Sequence, residues 1–304
     1  MTNVYLQLGI ERLAEMSEVV VYFKKKIYTG RDPLINGLNR GFLYGETLFT
    51  TMRTFKGRYL FLNEHLKRLE KGIQFMYPEN DLTVIAQIKV ALADCLQASK
   101  NWQGLDFRVR IPVYLENSEF AFAQENNELG FFIIAGPLPA ITQNALKLCI
   151  AKKIKTSGLI PPYVKLGNYT EEIIELREAK KRGFDDVLFL MENERLAECS
   201  TSNIFYRVAD KIYTPEIVNG VLAGITRKKL IECLAEKSLQ VCLGAWDFND
   251  IINADEVWVT NSVSGIRPVK QLEYKKYSML YADKSWTKKI VDYYKDFCDK
   301  DVQL

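Results

Sequence analysis

The stretch KLGNYTEEIIELREAKKRGFDDVLFLMENERLAECSTSNIFYRV, residues 165–208, decides the fold. It opens on a lysine and an asparagine spaced Lys165-x-x-Asn168. A helical pattern over residues 169–182 follows and stops at Gly183, a residue that accepts the left-handed conformation at a helix end. Asp185-Asp186 then leads into the apolar run DVLFLME, which predicts a strand. Glu198 and Ser202-Asn203-Ile204-Phe205 precede a second strand, SNIFYRV.

Outward from this stretch, LKLCIAKKI reads as a strand and Pro161-Pro162 as a loop. On the other side, KIYTP is a strand, residues 225–237 a helix and EVWVTN, 256–261, a strand. In the first half, residues 41–62 read as strands, with Lys56-Gly57 as a hairpin turn between LFTTMRTF and RYLFL. Residues 63–76 predict a helix capped by Asn63, and residues 81–99 a second helix capped by Asp81. FRVRIPVYL, 107–115, alternates as a strand, and FFIIAGPL, 131–138, is a buried one; the polar run 116–129 between them is a loop. The expected organisation is α+β in two domains, 1–138 and 145–304, joined by a linker at 139–144. The βαβ rhythm of a doubly wound sheet is absent.

Composition narrows the function. The chain has 304 residues, 48% hydrophobic and 26% charged, with a formal charge of only +3, so a nucleic-acid partner has little support. The run Lys24-Lys25-Lys26 reads as a solvated strand end. Six scattered cysteines form no Cys-x-x-Cys pair; they read as reduced thiols of a cytoplasmic protein and no metal site is expected. The first residues lack signal-peptide order, and no apolar run is long enough to span a membrane. There is a single histidine, His65, which excludes a metal site with several histidine ligands. Leu66 and Leu69 beside it suggest a helix residue packed near the core. Acid–base chemistry must then come from another residue type, and lysine is the natural candidate.

The 165–208 stretch resembles the class IV aminotransferases, the fold-type IV pyridoxal-phosphate (PLP) enzymes. The resemblance rests on Lys165, Asn168, Gly183, Asp185-Asp186, Glu198 and Ser202-Asn203-Ile204-Phe205. Four further segments match in family order: NRGFLYGETLFTTMR (39–53), HLKRL (65–69), GVLAGITRKKLIE (220–232) and DEVWVTNSVSGIRPV (255–269). The family implies a two-domain α+β fold, PLP as cofactor and a homodimer. It makes Lys165 the catalytic Schiff-base lysine and Glu198 the carboxylate at the pyridine nitrogen. It gives the phosphate to Arg68, to the Gly224-Ile225-Thr226 helix start and to Asn261 or Ser262. Each role has a physical reason: a desolvated lysine amine can be neutral, a protonated ring accepts electrons, and a helix N-terminus attracts anions.

Three details resemble 4-amino-4-deoxychorismate lyases: the short Lys165–Asn168 spacing, Thr50 where aminotransferases usually carry glutamate, and the VTNSVSGIRPV ending. The implied reaction gives 4-aminobenzoate, a folate precursor, and pyruvate. Aminotransfer on D- or branched-chain amino acids and a non-catalytic homologue are the alternatives. Arg108 and Arg110 share one strand face and are candidates for substrate carboxylates. Asn39 stands where the family has aspartate, Glu46-Thr47 where it has Asp-Gly, and the usual Arg-Gly-rich stretch after FRVRI is missing. These departures bear on substrate rather than cofactor.

Overall fold

In the computed structural model, which describes residues 19–29, 32, 36–98, 106–116, 128–138, 144–218, 220–277, 285–300 and 302–303, β1 (Val20–Phe23) and β2 (Lys26–Thr29) form a hairpin. Lys24 and Lys25, both at positive φ, make its turn, so the lysine run lies at an exposed hairpin tip. Next comes α1 (Arg40–Tyr44) in a region expected to be extended. The Asn39 side chain caps it by accepting from the Gly41 N–H at 2.9 Å, and Gly45 ends it at φ 69°. β3 (Leu48–Phe55) and β4 (Arg58–Leu60) form the expected hairpin, with Lys56 at φ 53° and Gly57 at φ 75°, the paired left-handed turn that matches strand twist.

α2 (Leu62–Met76) buries Leu62, His65, Leu66, Leu69, Gly72 and Ile73 along one stripe. Its N-cap is Phe61 rather than Asn63: burial of the Phe61 and Leu62 side chains fixes where the helix starts, and no side chain caps it. α3 (Thr83–Ala98) follows Asp81, whose carboxylate accepts from the Thr83 N–H at 3.0 Å. The strand expected over 131–138 is two strands, β6 (Leu129–Phe131) and β7 (Ile133–Pro137), both on β5 (Phe107–Leu115). Phe132 donates to the Pro112 carbonyl, but Pro112 has no N–H to return the bond, and the ladder breaks there. With β17 (Val302–Gln303), these strands form one sheet in the order β17-β4-β3-β5-β7-β1-β2.

The second sheet runs β10-β9-β8-β15-β14-β11-β12-β13. Its strands are β8 (Leu146–Ile150), β9 (Asp186–Leu190), β10 (Leu196–Cys199), β11 (Asn203–Val208), β12 (Lys211–Pro215), β13 (Val241–Gly244), β14 (Glu256–Asn261) and β15 (Gly265–Leu272), with β16 (Lys275–Lys276) on β15. Leu148 and Leu188 pack into one apolar cluster, while Cys149, Val187 and Phe189 pack with Ala179 of α4 (Thr170–Lys181) into another. Both faces of β8 and β9 are therefore covered, which is why DVLFL is continuously apolar. α5 (Ile225–Glu236), α6 (Phe248–Ile252) and α7 (Trp286–Lys300) complete this part. Fully buried Glu256 caps α7: its carboxylate accepts from the Trp286 N–H at 2.9 Å, the Thr287 N–H at 2.8 Å and the Ser285 hydroxyl at 2.8 Å.

The chain divides into two units, one of residues 1–140, 164–168 and 301–304, the other of residues 141–163 and 169–300. Val164–Asn168 thus groups with the first unit although it lies within the second half of the sequence. Most of the expected linker, 139–143, is outside the described residues, as is 117–127 of the expected loop.

Candidate active site

Lys165 is held by backbone pairing. The Phe49 N–H donates to the Lys165 carbonyl at 2.9 Å, Leu48 bridges Leu166, and the Gly167 N–H donates to the Thr47 carbonyl at 2.8 Å. Residues 165–167 therefore extend the sheet at the start of β3. The fit depends on small residues: a Cβ on Gly41 or Gly167 would overlap the Thr47 side chain. Thr47, a departure from the family pattern, occupies the space these two glycines leave. Asn39, another departure, uses its amide: Nδ2 donates to the Leu115 carbonyl at 3.2 Å, which an aspartate could not do.

The half-buried Lys165 places its Nζ 4.7 Å from the centroid of the Phe49 ring, and the Arg110 guanidinium carbon lies 3.5 Å from the same centroid. Two cations thus share one aromatic ring. Arg108, two residues earlier on β5, is exposed and lies opposite Arg53. Of the two arginines expected to reach a substrate, the structure brings only Arg110 to the aromatic ring that Lys165 also meets.

On the buried side of β3, the Thr50 hydroxyl is 2.8 Å from His65 Nδ1 and accepts from Arg68 Nη2 at 3.3 Å. His65 is a packed helix residue, as expected, and has a polar partner. Burial, then the charges of Arg68 and Lys165, hold its imidazole well below the usual histidine value, so the ring is neutral.

Glu198 lies in the second unit at the end of β10, with both carboxylate oxygens engaged. Oε1 accepts from Lys155 Nζ at 2.7 Å; Oε2 accepts from the Leu222 N–H at 3.1 Å and from Asn203 Nδ2 at 3.4 Å. A carboxylate has about four acceptor sites, so among the described residues one is left for a further donor. Burial works against a charge on Lys155, but Glu198 and Glu172 outweigh it and keep the ammonium above its ordinary value. Nothing in the run AKKIK distinguishes Lys155 from the solvated lysines beside it; only the fold does.

The start of α5 has no side-chain cap. Gly224 is its N-cap, and its first turn has no acidic residue. A Cβ at Gly224 would overlap Asn203 Oδ1, so the chain can pass this close only as glycine. The Thr226 hydroxyl lies 3.3 Å from that of Ser262 and also meets Tyr294. Asn261 organises the turn instead: Oδ1 accepts from the Val263 and Ser264 N–H groups at 3.0 and 2.8 Å, and Nδ2 donates to Ser202 at 3.1 Å. Of the expected pair, Ser262 is the side chain that stands beside Thr226. Among the described residues, no group of three or more His, Cys, Asp or Glu side chains is placed to hold a metal ion, and no helix is long and apolar enough to cross a membrane.

Residues 47–272 match the model of the amino-transferase class IV family. The chain belongs to that family, and its two-sheet α+β architecture is the fold-type IV fold. It is 27% identical to an aminodeoxychorismate lyase of Bacillus subtilis over 258 residues, 84% of this chain and 87% of that one. It is 25% identical to branched-chain-amino-acid aminotransferase 2 of the same organism over 256 residues, 75% and 68% of the two chains. Among solved structures it is similar to an aminotransferase from Brucella abortus bound to the cofactor PLP, with a TM-score of 0.80 and 21% identity over 93% of this chain and 99% of that one.

Proposed function

We propose that the chain is a PLP-dependent lyase that cleaves 4-amino-4-deoxychorismate to 4-aminobenzoate and pyruvate, and that it works as a homodimer in the cytoplasm. The observation that carries this reading is that Lys165 and Arg110 both meet the Phe49 ring. An amine and a guanidinium gathered at one ring suit an amino substrate that carries carboxylates. The family and the similarity to a named lyase over most of both chains support it.

The residues present fit the cofactor. Lys165 offers the amine that binds its aldehyde. Glu198, with an acceptor site left, would hold a proton at the ring nitrogen. Arg68 and the α5 start, with Gly224, Ile225, Thr226 and Ser262, would hold the phosphate, while Asn261 shapes the turn. Bound PLP supplies an electron sink for the pair left when the substrate α-carbon loses its proton. Lys165 would take that proton and return one at the enolpyruvyl methylene as the bond between the ring carbon and the ether oxygen breaks and that oxygen leaves with pyruvate. Arg110 would orient a substrate carboxylate.

Aminotransfer is the second reading, favoured by the similarity to a branched-chain aminotransferase. The two differ in their need for a keto acid. Incubation with 4-amino-4-deoxychorismate and no keto acid should release 4-aminobenzoate and pyruvate in equal amounts. A parallel incubation of leucine or D-alanine with 2-oxoglutarate should give no product. Reaction in the second tube alone overturns the lyase reading. Lys165→Ala should abolish turnover and the visible absorbance of the lysine-bound cofactor; persistence of a borohydride-trappable adduct would refute the assignment.

A further inference from the structure

The Thr50 hydroxyl has one proton and two lone pairs, and arginine only donates. Because Arg68 Nη2 reaches that oxygen at 3.3 Å, Thr50 must accept there, and its proton is left for His65 Nδ1 at 2.8 Å. We propose that Thr50 and His65 are positioning residues for Arg68: a buried imidazole fixes the Thr50 hydroxyl as an acceptor, and that oxygen holds the guanidinium in the orientation in which it meets the cofactor phosphate. The role of Arg68 in this inference rests on the function proposed above.

The fold presents the three groups together for a definite reason. His65, Arg68 and Gly72 lie three, four and seven residues apart on the α2 face that packs on β3, where Gly72 faces Leu48. Thr50 lies on the same face of β3 as Leu48 and Met52, and all three are buried. Thr50 and His65 are 0% and 1% exposed, so water cannot substitute for either bond. A β-branched threonine also restricts the rotamers from which its oxygen can point. A neutral acceptor anchors the arginine without cancelling its charge, which remains available to an anion.

The single histidine makes the test direct, because an imidazole nitrogen spectrum of the full chain contains one ring. In the cofactor-free chain, labelled with 15N-histidine, Nδ1 should be unprotonated and Nε2 should carry the proton. Thr50→Val should move the Nδ1 resonance downfield, and Thr50→Ser should restore it. PLP titrated into each chain should bind about tenfold more weakly to Thr50→Val and nearly normally to Thr50→Ser, as expected for a lost bond to a charged donor. At saturating PLP, kcat should change far less than PLP affinity. An unchanged Nδ1 resonance in Thr50→Val, or a protonated Nδ1 in the parent chain, overturns the hydrogen-bond chain. If Arg68→Gln weakens PLP binding and Thr50→Val does not, this inference fails and the role of Arg68 stands; if Arg68→Gln binds PLP normally, the proposed phosphate contact is itself wrong. Should Thr50→Val not fold, His65→Asn, which keeps an acceptor near Nδ1, must bind PLP better than His65→Leu.

Discussion

A histidine held neutral by burial couples folding to pH. His65 titrates well below its ordinary value in the folded chain, whereas the unfolded chain binds a proton near pH 6.5. As pH falls through 6.5, the unfolded state takes up a proton that the native state does not. Its contribution is therefore complete above that pH and declines below it, by about 1.4 kcal/mol per pH unit at most. Urea unfolding at pH 7.5 and pH 5.5 should show the parent chain losing about 1 kcal/mol more than His65→Asn; equal losses would mean that the imidazole is not shielded. At the same scale, Glu198→Gln should leave PLP bound but lower kcat by about a hundredfold or more, as loss of a buried charged contact does. Near-normal turnover would remove its role at the ring nitrogen. Burial of His65 was legible from Leu66 and Leu69, but its bond to Thr50 was not, because helical spacing says nothing of which strand residue lies beneath. Lys155 was hidden for the same reason: its two carboxylate partners, Glu172 and Glu198, are remote in sequence.

Elements with their own local signals could be read directly. The Lys56-Gly57 turn, the β5 alternation and the Gly183 stop need only neighbouring residues. Gly57 sits at φ 75° with open space around the position of an added Cβ, so Gly57→Ala should cost only backbone strain, about 1 kcal/mol in denaturant unfolding. Elements fixed by distant partners were not readable. α1 depends on the Asn39 amide, which reaches across to Leu115, and the break between β6 and β7 depends on Pro112 in another strand. The α5 start combines both kinds of information. Its glycine was visible in GITRKK, but the reason for it, the packing against Asn203, was not. Gly224→Ala must displace Asn203, which donates to Glu198 and to the Leu222 carbonyl. It should therefore weaken PLP binding by about tenfold or more and also lower stability, since a buried amide loses its partners. An equilibrium PLP titration that gives the parent affinity would show that the helix start does not form the phosphate cradle.

On the scale of the whole molecule, the grouping of Val164–Asn168 with the first unit left no trace in composition. It follows from hydrogen bonds between Thr47–Phe49 and Lys165–Gly167, a pairing across more than a hundred residues. Assembly is a different matter, because an apolar segment can be seen in sequence while its exposure cannot. GFLYG, residues 41–45, and FAFA, residues 120–123, are two such segments, and FAFA lies outside the described residues. In the single chain Phe42 is 74% exposed, and Leu38, Leu43 and Tyr44 around it are exposed as well. Exposed apolar side chains gathered on and just before one short helix are what an association surface would use. The proposed homodimer would cover them, and an interface core tolerates an unpaired carboxylate badly. Sedimentation equilibrium at micromolar concentration should therefore give twice the chain mass for the parent and a mass shifted toward the monomer for Phe42→Asp. Circular dichroism of the variant should match the parent, since Phe42 makes little of the core. A parent chain that is monomeric and fully active would refute the dimer, and a Phe42→Asp chain that remains dimeric would place the interface elsewhere on the surface.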